Sequence, residues 1–151
     1  MASRLAFDPS PRRLSRQRRR ELAALLVARA DALPEPDKAL ILEVYAAGRS
    51  VLDATRRDNP DPATLPARAG ANRRRVRRLT RRMLTPTFEL VRTQQPAWPP
   101  IRARVGHACF ILGLSMRAAS ESLNLSLHTV RSHAHAIRAM AAIAAQRGRA
   151  A

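Results

Sequence analysis

The chain is short of aromatic residues, of cysteine and of negative charge. Its five rings (Phe7, Tyr45, Phe88, Trp98 and Phe110) are a poor supply of stacking platforms. This argues against single-stranded nucleic acids and sheet-based RNA recognition, which hold bases against aromatic faces. One cysteine, Cys109, excludes an internal disulfide framework. No apolar run approaches the ~20 residues a membrane span needs. The basic stretch from Met1 to Arg20 lacks the apolar core and cleavage site of a secretory signal. The 11 acidic residues form no paired set on a helix face, and there is no glycine-rich phosphate loop. Cys109 falls in an apolar stripe and reads as core. Neither enzyme activity nor a cofactor is expected, and the expected location is cytoplasmic, at the nucleoid.

What the chain has is arginine. Of 28 basic residues in 151, 27 are Arg and only Lys38 is Lys, and the formal net charge is +17. Such a charge attracts polyanions. The guanidinium fork suits phosphates and guanine edges bidentately. Nothing in the pattern favours a membrane, and the scarcity of rings favours double-stranded DNA over single strands.

The apolar spacing is helical throughout. Ser10-Pro11 offers a start for an N-terminal helix running to about Asp31, with a dense basic first part and Leu22, Leu25, Leu26 and Ala30 in the apolar pattern. Residues 36–47 form the next helix, closed by Gly48. Ser50 and Asp53 make a capping box, with Asp in place of Glu, for a helix to about Arg57. After the Asp58–Pro62 loop, Asp61 and Pro62 read as the cap and first residue of a short helix to Ala69. A turn at Gly70-Ala71 and a cap at Asn72 lead to a long basic helix ending near Leu84, with Val76, Leu79 and Met83 inward. Residues 85–100 read as a connector in which Phe88–Val91 is a strand or a helical turn. Residues 101–112 form an apolar helix with Ile101, Val105, Ala108, Cys109 and Leu112 on one face.

Residues 113–138 carry the sharpest pattern. Ser115 caps a short helix, Asn124 stands at a turn that needs a left-handed residue, and Ser126 caps a second helix. Val130, Ala134, Ile137 and Ala141 recur at helical spacing to form its rear. Leu127, His128, Arg131, Ser132 and His135 remain on its front, and this helix runs to about Gln146.

The run Gly113-Leu114-Ser115, Arg117-Ala118-Ala119, Leu123-Asn124-Leu125-Ser126 and Thr129-Val130-Arg131-Ser132-His133 resembles the helix-turn-helix of LuxR-type regulators and of region 4 of sigma-70-type factors, over residues 101–141. It departs at Asn124, where the families usually have Gly, and before Ala119, where they usually have an acid. Residues 33–84 also resemble sigma region 4, through Leu33-Pro34, the Ala39–Tyr45 helix, Gly48–Thr55 and Gly70–Leu79. Here the departure is the proline-rich segment 59–66. The resemblance implies an all-α fold with two helix-turn-helix units in tandem after a basic N-terminal helix. The division is an arm and helix (1–32), a first unit (33–84), a connector (85–100), a second unit (101–146) and a tail (147–151).

The resemblance further implies a duplex-DNA-binding transcription regulator. In the first unit Arg73, Arg74, Arg77, Arg78 and Arg81 are the expected DNA contacts, mostly with phosphates. In the second, Ser126 and Thr129 suit phosphates near a helix N-terminus. His128, Arg131, Ser132 and His135 suit base edges, and Arg117 suits a backbone clamp. Two other partners follow from the families: RNA polymerase, as for an accessory sigma-like factor, and a second copy through the last helix. A sequence-independent architectural protein is the further alternative. The histidines do not suggest a metal: on a helix His128 and His135 share a face but stand two turns apart, roughly 10 Å.

Overall fold

The computed structural model describes residues 15–150. They form eight α-helices and no strand: α1 (Arg16–Arg29), α2 (Glu35–Tyr45), α3 (Val51–Asp58), α4 (Leu65–Met83), α5 (Pro86–Gln94), α6 (Pro100–Gly106), α7 (Met116–Leu123) and α8 (Leu127–Ala150). None is long and apolar enough to cross a membrane. Ser10, Pro11 and the arginines at 12 and 13 lie outside the described residues. The start of α1 differs from the expected one: Ser15 supplies the cap, its hydroxyl accepting from the Arg18 N–H, so helix begins at Arg16.

Capping side chains set several boundaries, as side-chain oxygens do for unpaired N–H groups. Ser50 Oγ accepts from the Asp53 N–H at 3.1 Å and donates to Asp53 Oδ2 at 2.6 Å, closing the box at the head of α3. Gly48, at φ +67°, turns the chain after α2.

Three expected features are corrected. First, there is no turn at Gly70-Ala71; α4 runs unbroken through both. The turn between α3 and α4 lies earlier, where Asp61 accepts from the Ala63 N–H at 3.0 Å and from the Thr64 hydroxyl at 3.0 Å. Gly70 costs the helix about 1 kcal/mol, but Ala69, Val76, Leu79 and Met83 on the same helix are all buried, which outweighs it. Asn72 is therefore mid-helix and caps nothing. Its amide instead donates across to Thr55 Oγ1 at 3.0 Å, tying α4 to α3 at the one polar residue buried among those described.

Second, most of the 85–100 connector is helical, Pro86–Gln94 as α5 and Gln95–Ala97 as a tighter turn, so of the two alternatives for Phe88–Val91 the helical one holds, as part of a longer helix. Pro86 opens α5 at a position where the missing N–H is no loss, capped by Thr85. Its Phe88 and Val91 are fully buried. Third, α6 does not continue as regular helix. Residues His107–Ile111 form a wider π-type turn, in which the Leu112 N–H reaches the His107 carbonyl at 2.9 Å. That turn brings Ile111 to the core, while Leu112 is only half-buried. At the other end of α6, Ile101 is 42% exposed, and on α1 Leu25 is 39% exposed, neither being core.

One cluster of buried side chains joins Leu26, Ile41, Leu79, Phe88, Val91 and Ile111 to Ile137 of α8. A second, smaller cluster of Val105, Ala108, Ala119, Val130 and Ala134 packs α6, α7 and the first half of α8 together. Phe110 packs against both. Glu89 links α5 to α1, with its Oε2 3.1 Å from Arg29 Nε. Arg29 also donates to the Met83 carbonyl, satisfying the C-terminal end of α4.

Candidate nucleic-acid interface

The α4 helix carries eight arginines and no acid. Its apolar stripe fixes which of them face out. Arg73, Arg74, Arg77, Arg78 and Arg81 are exposed, as expected, and Arg68 joins them. The other two are used inside the fold. Arg75 Nε lies 2.6 Å from Asp37 Oδ1 and ties α4 to α2. Arg82 is half-buried, and burial pulls its guanidinium below the ordinary arginine value.

The second candidate surface is built around the turn between α7 and α8. Ser115 caps α7 through the Ala118 N–H, and α7 ends at Asn124, whose φ of 53° and ψ of 47° are left-handed. The turn is braced from both sides. Ser120 Oγ donates to the Leu125 carbonyl at 2.7 Å, and Arg104 of α6 donates to the Leu123 carbonyl at 3.2 Å. Ser126 Oγ accepts from the Thr129 N–H at 3.0 Å and lies 2.8 Å from Thr129 Oγ1, so both hydroxyls sit at the head of α8.

From there the helix splits cleanly. Val130, Ala134 and Ile137 are fully buried and Ala141 nearly so. His128, Arg131, Ser132 and His135 are exposed, Thr129 is half-buried, and Arg117 is exposed on α7. Four of these residues line a shallow depression (His128, Arg131, Ser132, His135), together with Met116 and Arg138. Met116 and Arg138 were absent from the sequence-based site. Arg138 is three residues after His135 and seven after Arg131, the spacing of one helix face, so the signal was there. Its guanidinium also stands 5.5 Å from the centre of the Phe110 ring, a cation–π distance.

The ion pairs of the described residues lie away from these two surfaces. Among the described residues, seven pairs engage Arg29, Lys38, Arg49, Arg56, Arg57, Arg75 and Arg92. None engages an exposed α4 arginine, Arg117, Arg131 or Arg138. No acid lies between Asp61 and Glu89 in the sequence, and only Glu121 follows Glu89. Acids are thus concentrated on α2 and α3, where Glu43 alone holds Arg49 and Arg57, each at 2.6 Å. No cluster of three or more His, Cys, Asp or Glu suited to a metal occurs among the described residues. Burial pushes the Cys109 thiol upward, away from a reactive thiolate.

Compared with protein-family models, curated proteins and solved structures, the chain matches none of them.

Proposed function

We propose that the chain binds double-stranded DNA and regulates transcription, with α3–α4 and α7–α8 acting as two helix-turn-helix units. The observation that carries this reading is the unpaired, outward arginine face of α4 together with the exposed front of α8. Like charges so close along a helix repel one another, and an anionic surface beside them relieves that repulsion. On α8 the polar front, rigid turn and buried rear are what a helix needs to enter a major groove with its first two turns. Arg131 is the residue assigned to a guanine edge. The α4 arginines supply sequence-independent attraction to phosphates. A second copy through the C-terminal part of α8, where Ile143 is 51% exposed, and an RNA polymerase partner are the associations that belong to this reading.

The test is selection of bound sites from a random duplex library, followed by titration of the winner and a scrambled duplex across a salt series. A shared motif, preferred by about 10³ or more, is expected. Arg131→Ala should flatten the preference at one position by about 1–3 kcal/mol. No motif, with affinity lost equally on both duplexes as salt rises, would reduce the reading to charge-driven backbone binding.

A further inference from the structure

The first turn and a half of α1 is exposed on every side: residues 15–21 have no buried or half-buried member. Four of these seven are arginines, at 16, 18, 19 and 20, and none is apolar. A helix without a buried face needs favourable pairs along its surface to persist. Here the pairs are largely unfavourable. Arg16 stacks over Arg19 and Arg20 at the i+3 and i+4 positions, where like charges repel. The four also sit at the helix N-terminus, whose partial positive charge opposes cations. The one acid, Glu21, is engaged by Gln17, whose Nε2 donates to it at 2.8 Å. None of the four arginines is in an ion pair among the described residues. A polyanion removes all of these penalties at once.

The arrangement also selects the kind of polyanion. At about 100° per residue, Arg16, Arg19 and Arg20 share one side and Arg18 points to the other. A flat anionic bilayer meets only one side, and an interfacial helix needs an apolar face that this stretch lacks. A protein interface needs an apolar or aromatic anchor, which is missing too. A duplex groove is bounded by two phosphate rows about 12 Å apart, close to the width of a helix with its side chains. We infer that residues 16–20 of α1 form a phosphate-gripping arm, a nucleic-acid contact separate from α4 and α8. This rests on the proposed reading that the chain binds duplex DNA.

The experiment compares the full chain with a variant carrying Arg16→Gln, Arg18→Gln, Arg19→Gln and Arg20→Gln, on the selected and scrambled duplexes between 50 and 200 mM salt. Loss of four phosphate contacts lowers the log–log salt slope by roughly 3–4, so wild-type affinity falls about a hundredfold more than the variant's over that range. The selected motif is expected to stay the same. Amide exchange at residues 16–21 should slow on adding duplex to the wild type. An unchanged slope and unchanged exchange, with an Arg74→Gln/Arg77→Gln variant still weakening binding, overturns the arm and leaves the proposed function standing. No duplex binding by the wild type overturns both. Slowed exchange at 16–21 with vesicles of mixed phosphatidylserine and phosphatidylcholine, but not with duplex, assigns the arm to a membrane and overturns the inference.

Discussion

The guanidinium of Arg82, in the last turn of α4, lies against Gly113, just before α7. Gly113 is in the left-handed region at φ +74°, and a side chain built on it would overlap the guanidinium and approach Arg82 Cδ to 3.2 Å. Arg82 Nε is buried and finds no hydrogen-bond partner among the described residues. The contact links the helix bearing the exposed arginines to the segment that leads into the turn before α8.

Gly113→Ala should therefore cost stability in two ways: a left-handed strain of about 1–2 kcal/mol, and displacement of Arg82. Chemical denaturation of both single variants and the double variant separates them. The cost of Gly113→Ala is expected to shrink by about 1 kcal/mol when Arg82 is already Ala. Strict additivity would mean that the contact carries no energy.

Gly70 is the opposite case. It is inside α4 with ordinary helical backbone, and a Cβ there meets only Arg74 Nη1 at 3.7 Å. Gly70→Ala is expected to stabilise the protein by about 0.5–1 kcal/mol. A loss of stability would restore the turn that the sequence pattern suggested at this point.

Asn124 is the one non-glycine residue with positive φ among those described. Replacing it with Ala should cost about 1 kcal/mol, while Gly should be neutral to within a few tenths, since the gain in backbone freedom is offset in the unfolded chain. Thermal unfolding of the pair decides this, and an equal loss in both would point to the Asn side chain and not its backbone.

The Glu89 carboxyl is held below its ordinary value chiefly by hydrogen bonding to Arg92, which outweighs the opposing effect of burial, with the charges of Arg29 and Arg92 adding to it. A carboxylate depressed by folding stabilises fully above its unfolded value and loses that contribution as pH falls through its folded one. Glu89→Gln should thus destabilise by about 1 kcal/mol at pH 7, as partly exposed pairs do. The gap to wild type should narrow below about pH 4. The same gap at pH 7 and pH 3 would assign the effect to shape alone.

The local features of the fold were legible in the sequence. Ser50, Ser115, Asn124 and Ser126 act within four residues of themselves, and the stripes at Val76, Leu79, Met83 and at Val130, Ala134, Ile137 repeat at one spacing. Eleven of the twelve residues of the sequence-based site are exposed, and Thr129, in the first turn of α8, is half-buried. What escaped depends on distant partners. Asn72 looks like a cap until Thr55 is opposite it, and Arg82 resembles its neighbours until Gly113 is beside it. Phe88 to Val91 is too short to declare its period, and its helix is settled by burial against α8. The wide turn at His107–Ile111 leaves no mark in the order of apolar residues, so the spacing points to Leu112 where Ile111 is the buried residue, while Ile101 is exposed in the first turn of α6, ahead of that turn.

Ile137 shares its cluster with Leu26, roughly a hundred residues earlier in the chain. During synthesis at about 5–20 residues per second, the core begun by α1 stays open for roughly 5–20 s until α8 arrives. In the later part of that interval, once α5 has been made, Phe88 and Val91 have no lid, and the arginines of α4 precede them. The growing chain is thus sticky and cationic together, beside the ribosome's own RNA, and its last long helix is the piece that ends that exposure.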